Sequence, residues 1–150
     1  MAEGQTRDSG DAVEGKYLPP HCERHRLQFV RQRTPTRSTV TSVVEPWVDM
    51  VADTRAINQG LAVRDGNTFH INGRTYGAKS PGHRSRLFPI DGDGIHRLNR
   101  NEYKALGIYN DLGVSPRSEL IIARMGVTIA EQYRVRTLWQ IGKDSTDGVD

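Results

Sequence analysis

The sequence predicts a small α+β domain, with an N-terminal helix, a small three- to four-stranded antiparallel sheet and three C-terminal helices. Three observations lead to this fold class. Apolar residues recur at nearly helical spacing after Pro46, two turn-forming dipeptides bracket a short alternating run near the middle, and the final third carries helix start and stop residues. A chain of 150 residues is long enough for one compact core. The residues expected in that core are Trp47, Phe69, Tyr76, Leu106, Leu112, Ile121, Met125, Leu138 and Trp139.

The first helix is predicted from Pro46 to Asn58. Proline suits the first turn of a helix, where its missing N–H has no partner to lose. Gly60 then favours an end to the helix. The apolar residues that recur at nearly helical spacing in this range are Trp47, Met50, Val51 and Ile57.

Two turn-forming pairs predict a three-stranded meander. Asp65-Gly66 and Asn72-Gly73 favour the positive φ angles that tight hairpins require, and they bracket the alternating run of residues 67–71. If the second turn has two residues, the strands pair Phe69 with Tyr76 on one face and His70 with Thr75 on the other.

The segment after the meander predicts an edge strand and a turn, with no metal site. Residues 87–90 form a short apolar run, which Pro89 confines to a sheet edge.

The sequence predicts neither a metal site nor a cofactor site. The turn at residues 91–94 resembles the start of a calcium loop, but Ile95 stands where that loop needs a ligand and His96 where it needs glycine. Residues 21–25 offer histidine and cysteine at zinc spacing, but fewer than four ligands. No phosphate-loop or dinucleotide-binding pattern occurs, so no cofactor is expected.

The C-terminal third predicts three helices. Each begins with a capping residue, and a glycine follows the last apolar position of each. The third helix is expected to run to about Ile141. The starts are Asn99 with Glu102, Ser115 with Pro116, and Thr128 with Glu131, and the glycines are Gly113, Gly126 and Gly142.

The composition predicts a tail, one domain and a short disordered end. Residues 1–41 are polar and basic, with a single apolar cluster near Leu27, and are expected to form a flexible N-terminal tail. Residues 42–143 form the compact domain, and residues 144–150 a disordered C-terminus. The chain has no run long enough to span a bilayer, no secretory signal and one cysteine, so we expect a cytoplasmic protein without a membrane partner.

The uneven distribution of positive charge indicates which kind of partner the protein binds. The net charge is +3, but residues 21–40 and residues 66–105 each carry a net of +4. Such regions suit a polyanion, so we expect a nucleic-acid-associated binding protein, of the kind that serves as a phage or mobile-element accessory factor. The arginines expected to bind nucleic acid are Arg24, Arg26, Arg31 and Arg33 in the tail, and Arg84, Arg86, Arg97 and Arg100 in the domain.

If the protein is an enzyme, the sequence favours a metal-independent ribonuclease, such as a growth-inhibiting toxin. Cleavage of RNA without a metal needs a base, an acid and a cation beside the phosphate. His83 and His96 would supply the acid and the base, and Arg84 or Arg86 would hold the phosphate.

Two further hypotheses concern the last helices and protein partners. The final pair of helices has the outline of a DNA-binding helix-turn-helix, with Gly126 at the turn and Arg134 and Arg136 on the second helix. Ile122 and Gln132 do not fit that outline, so a plain helical hairpin packed into the core is favoured. The remaining alternative for the whole protein is a module that binds a protein partner.

Overall fold

The structure is a computed structural model that describes residues 16–36, 38–80 and 84–147. These residues form five α-helices and two antiparallel sheets, which confirms the predicted α+β class. None of the helices among them is long and apolar enough to cross a membrane. In chain order, the elements are α1 (Cys22–His25), a 3-10 helix (Leu27–Phe29), β1 (Val40–Val44), α2 (Met50–Asn58), β2 (Val63–Asp65), β3 (Thr68–Ile71), β4 (Arg74–Ala78), β5 (Leu87–Gly92), β6 (Ile95–Asn99), α3 (Arg100–Leu112), α4 (Pro116–Ala123) and α5 (Ile129–Asp147).

The chain divides into two compact units, each drawn from two stretches of sequence. The first unit comprises Met1–Pro20 and Asp49–Asp93. The second comprises His21–Val48 and Gly94–Asp150. The predicted boundary between tail and domain, at residue 41, therefore falls inside the second unit.

In the first unit, the four strands of the sheet follow the order β2-β3-β4-β5. Asn72 and Gly73, with φ angles of 54° and 78°, form the predicted two-residue turn between β3 and β4. Phe69 pairs with Tyr76 as predicted, and both side chains are buried. His70 lies on the other face and is exposed. The Asn-Gly pair therefore predicts both the register and the buried face.

The turn between β2 and β3 lies one residue further along than the sequence predicts. Asp65 pairs with Thr68, so Gly66 and Asn67 form the turn. Gly66 has a φ of 62° at the first central position, where type II′ turns place glycine. The predicted edge strand is present as β5, which pairs with β4.

Helix α2 begins later than predicted because of its cap. The side chain of Asp49 accepts a hydrogen bond from the backbone N–H of Ala52, which fixes the helix start at Met50. Trp47 therefore lies before the helix and is 60% exposed, although the sequence predicts it in the core. The end of the helix before Gly60 is as predicted.

A buried carboxylate joins α2 to the sheet of the first unit. Asp53 accepts hydrogen bonds from Arg74 Nε at 2.8 Å, from Tyr76 Oη at 2.5 Å and from Asn72 Nδ2 at 2.8 Å. Burial raises the pKa of Asp53, but these hydrogen bonds outweigh that effect and hold the pKa below its usual value.

In the second unit, the pair of strands β1 and β6 packs with helices α3, α4 and α5 around one core. Of the residues predicted for the core, Leu106 and Leu138 are buried. Four others pack against the core while partly buried: Leu112, Ile121, Met125 and Trp139. The fully buried side chains also include Leu27 and Val30, which come from the predicted tail.

All three C-terminal helices begin where the sequence predicts. Asn99 and Glu102 form a complete capping box, and the other two starts have equivalent bonds. Helix α5 continues past Gly142 to Asp147 instead of ending near Ile141. A Cβ atom at Gly142 would lie 2.6 Å from Cδ1 of Leu27, so this glycine permits close packing inside the helix.

Candidate nucleic-acid interface

Residues 22–35, here called the basic strap, pack along one face of α3. Tyr103 Oη donates to the carbonyl of Arg24 at 2.6 Å, and Asn110 Nδ2 donates to the carbonyls of Leu27 and Val30 at 2.9 and 2.7 Å. Tyr103 and Asn110 are two turns apart and share a helix face. Burial raises the pKa of Tyr103 to about 12, so its hydroxyl stays a donor. These three hydrogen bonds therefore join the backbone of the strap to α3.

The far end of the strap meets α3 at a glycine and an aspartate. A Cβ atom at Gly107 would lie 2.5 Å from the carbonyl oxygen of Arg31, so the strap passes directly over this glycine. Asp111 accepts hydrogen bonds from Arg31 Nη1 and from the backbone N–H of Gln32, both at 2.9 Å. Burial raises the pKa of Asp111, but these bonds outweigh it and lower the pKa.

The strap differs from the tail that the sequence predicts for residues 1–41. Leu27 and Val30 are inserted into the core of the second unit and have no exposed surface. Their carbonyls accept hydrogen bonds from Asn110, which lies 83 residues after Leu27 and 80 residues after Val30. Local sequence patterns do not reveal contacts between residues so far apart in the chain. Residues 1–15 of the predicted tail lie outside the described part of the chain.

An open pocket of about 390 Å³ lies on the strap. Its size falls in the range of small-ligand sites. A tight turn shapes it, because the N–H of Arg31 donates to Thr34 Oγ1 at 2.9 Å and the N–H of Thr34 donates to the Arg31 carbonyl at 3.0 Å. The residues that line the pocket are Glu23, Phe29, Arg31, Arg33, Thr34 and Pro35.

The pocket presents an aromatic ring and two guanidinium groups to solvent. Phe29 is 45% exposed, so a large part of this side chain is open to solvent. The side chain of Arg31 pairs with Asp111 but stays 52% exposed. Arg33 is exposed and makes no side-chain hydrogen bond or ion pair with the described residues. Each guanidinium has five N–H donors, so donors remain for a ligand.

The other predicted arginines of the second unit have different surroundings. Arg26 is a structural residue, since its guanidinium donates to the carbonyls of Pro46 and Val48 at 3.4 and 2.9 Å. Arg24 is half-buried, whereas Arg97 and Arg100 are exposed. Only Arg31 and Arg33, among the eight predicted arginines, line the pocket.

The remaining predicted residues belong to the first unit or lie outside the described chain. Arg84 is exposed and has a φ of 63°, and Arg86 donates to the carbonyl of Pro19 at 2.6 Å. His83, the predicted acid or base, lies outside the described residues.

His96, the second predicted catalytic histidine, belongs to the second unit and pairs with a carboxylate. Its Nε2 lies 2.7 Å from Glu45 Oε2, and Trp47 Nε1 donates to Glu45 Oε1 at 2.9 Å. Burial raises the pKa of Glu45, but these hydrogen bonds outweigh it and lower the pKa. Glu45 is not among the site residues predicted from the sequence. The run before it, Val40–Val44, is rich in β-branched residues, and this pattern could have predicted the strand β1 that ends beside Glu45.

The arginines of the suggested recognition helix are engaged in ion pairs. Arg134 donates to Glu102 Oε2 at 3.2 Å and to the carbonyl of Arg97 at 2.9 Å. Arg136 donates to Glu119 Oε2 at 2.6 Å. Helices α4 and α5 contribute to the core of the second unit, which is the helical hairpin that the sequence favours.

Among the described residues, both units carry a net positive charge, and the unit with the pocket carries more. The second unit has twelve lysines and arginines against eight acidic residues, a net of +4, whereas the first has seven against five, a net of +2. Within the described residues no group of three or more histidine, cysteine or acidic side chains is arranged to hold a metal ion. Comparison of the chain with protein-family models, curated proteins and solved structures gives no match.

Proposed function

We propose that the protein binds single-stranded nucleic acid through the pocket on the basic strap. One observation supports this most directly: the exposed ring of Phe29 lines the same open pocket as the exposed guanidinium groups of Arg31 and Arg33. An aromatic face stacks on a nucleobase, and arginine binds the phosphate beside it.

The exposed ring favours single strands over duplex. In a duplex the base faces are stacked on each other, so they are not available to a side chain outside the grooves. In a single strand a base can leave its neighbours and stack on Phe29. The pocket lies on the surface of the second unit and is open, which suits a base that enters from a flexible strand.

Cations elsewhere on the second unit support a longer contact with the backbone of the strand. Arg97, Arg100 and Lys104 are exposed, and Arg100 and Lys104 lie one turn apart on α3. None of their side chains makes an ion pair with a described residue. Each phosphate that they neutralise adds to affinity at low salt and makes binding more dependent on salt.

The test is a binding titration with labelled 12-mers of single-stranded RNA, single-stranded DNA and duplex DNA, by fluorescence anisotropy over a salt series with chelator present. Phe29→Ala should weaken binding to single strands by roughly tenfold or more, the expected effect of one lost stacking contact. Arg33→Gln should weaken binding to oligonucleotides of every sequence. It should also reduce the slope of the logarithm of the binding constant against the logarithm of the salt concentration by about one.

The matched control is Arg117→Gln, which removes the same charge from an exposed position on α4. If Arg33→Gln and Arg117→Gln weaken binding equally, the pocket has no special role. Tighter binding of duplex than of single strands would also contradict the proposal. If no salt-sensitive binding occurs at all, the nucleic-acid hypothesis is wrong and a protein partner becomes the leading alternative.

A second candidate function, metal-independent RNA cleavage, is favoured by the pairing of His96 with Glu45. A carboxylate hydrogen-bonded to a histidine fixes the orientation of the ring, which a general acid or base needs. The same RNA samples test it, because fragments must form in the presence of chelator. His96→Ala should abolish cleavage while leaving binding unchanged. Intact RNA after prolonged incubation with the wild-type protein would exclude this candidate.

A further inference from the structure

We infer that the pocket on the basic strap prefers guanine over the other bases, and that Glu23 determines this preference. The inference rests on the proposed function. The observation behind it is a carboxylate in the lining of a pocket whose other charged groups are two arginines.

Glu23 lies on α1, is exposed, and makes no side-chain hydrogen bond or ion pair with the residues that the structure describes. A carboxylate opposes the binding of phosphate in the same pocket, because like charges repel. An ionised carboxylate is also a pure acceptor, so the groups it can bind are N–H and O–H donors. Glu23 therefore suits a base edge, while Arg31 and Arg33 suit the phosphate.

The two oxygens of a carboxylate bind best to two parallel N–H groups on neighbouring atoms. The Watson–Crick edge of guanine has such a pair, the ring N1–H and the exocyclic N2–H. Adenine and cytosine place one amino group beside a ring nitrogen that is an acceptor and repels the carboxylate. Uracil and thymine have one ring N–H between two carbonyl oxygens. Among the common bases, guanine alone matches both oxygens of Glu23.

This recognition also requires a single strand, because base pairing occupies the same edge of guanine in a duplex. Stacking on Phe29 brings the base into the pocket and leaves its edge free for Glu23. The ring thus provides affinity for any base, and the carboxylate discriminates between bases.

The experiment uses the whole chain of 150 residues and oligouridine 9-mers with one central residue replaced by guanosine, inosine, adenosine or cytidine. We expect the guanosine oligomer to bind about tenfold more tightly than the all-uridine one, the effect of charge-assisted hydrogen bonds. Inosine keeps N1–H and lacks the amino group, so its oligomer should bind with intermediate affinity.

Glu23→Gln tests the origin of the preference, because glutamine has similar size and no charge. This variant should bind the guanosine and uridine oligomers with nearly equal affinity, and the uridine oligomer no more weakly than the wild type does. Asp144→Asn removes a negative charge from an exposed position on α5 and should leave the preference unchanged.

Three outcomes would overturn the inference, and they separate it from the proposed function. If the wild type binds all the oligomers alike, with an affinity that depends on Arg33, base selection is wrong and nucleic-acid binding stands. If Glu23→Gln keeps the full guanine preference, Glu23 is not its cause. If no oligomer binds, the proposed function and the inference are both wrong.

Discussion

Asp53 and Arg74 form a two-point ion pair inside the first unit. Arg74 Nε lies 2.8 Å from Asp53 Oδ2, and Arg74 Nη2 lies 3.2 Å from Asp53 Oδ1. The two side chains are only 1% and 8% exposed. Buried charges are tolerated when every partner is present, as it is here with Tyr76 and Asn72 on the same carboxylate. The pair therefore joins α2 to β4 in one arrangement.

Asp53→Asn should destabilise the protein strongly. It leaves the buried guanidinium of Arg74 without its counter-charge, and breaking a buried pair in this way costs about 3–5 kcal/mol. Urea unfolding measures the loss. Asp65→Asn, at an exposed position of the same unit, should change the free energy of unfolding by less than about 0.5 kcal/mol. Equal losses for the two variants would show that the pair does not hold the unit together.

The stability of the second unit should fall as the pH drops below the usual pKa of histidine. Burial lowers the pKa of His25, whose Nδ1 lies 2.8 Å from the carbonyl of Ser42. In the unfolded chain this ring binds a proton near pH 6.5, whereas in the folded protein it does so only at a lower pH. The neutral ring therefore contributes fully to stability above about pH 6.5, and this contribution is lost as the pH falls towards the lowered pKa of His25.

His25→Asn keeps an N–H donor for Ser42 and has no titrating ring. We expect the decrease in Tm between about pH 7.5 and about pH 5.5 to be smaller in this variant than in the wild type. Identical decreases would show that His25 is not responsible for the pH dependence in this range.

Gly107→Ala should weaken the attachment of the strap. Alanine in place of a mid-helix glycine ordinarily stabilises a helix by about 1 kcal/mol. Here the added Cβ atom would lie 2.5 Å from the carbonyl oxygen of Arg31, and overpacking costs typically about 1–3 kcal/mol. We expect a net loss of stability in urea unfolding. Lys104→Ala, at an exposed position one turn earlier, should have little effect.

Substitutions at Leu27 and at Phe29 should have different effects on stability and on oligonucleotide binding. Leu27 is fully buried, so Leu27→Ala should cost about 2–5 kcal/mol of unfolding free energy. Phe29 is two residues further on and 45% exposed, so Phe29→Ala should change stability little while it weakens oligonucleotide binding. A large loss of stability in Phe29→Ala, or a negligible one in Leu27→Ala, would contradict the packing of the strap.

Local chemistry predicts much of this fold. The turn at Asn72 and Gly73 determines the pairing of Phe69 with Tyr76, because a two-residue hairpin has only one register. The capping box at Asn99 marks a helix start from side-chain chemistry within four residues. In both cases the interacting groups are close in sequence, so the pattern contains all the information that the element needs.

The strap and the pocket depend on partners far along the chain. Two apolar residues, Leu27 and Val30, are too few to predict an ordered segment from the sequence. The segment is ordered because α3 provides the surface that buries them. Gly142 resembles a helix end because a local pattern does not reveal that Leu27 occupies the space beside it. Arg31 and Arg33 are predicted from the sequence as binding residues. The turn that brings them into one pocket with Phe29 is held by hydrogen bonds to Asp111, which lies far along the chain.

During synthesis the two units become complete at different times, because the first contains no residue beyond Asp93. Once that residue has left the ribosome, every residue of the first unit has been made. Leu27 and Val30 have emerged long before, yet the helices that cover them, α3 and α5, are still to be translated. In that interval the strap is an exposed apolar and basic segment of a nascent chain, open to chaperones and to aggregation until translation proceeds through α5.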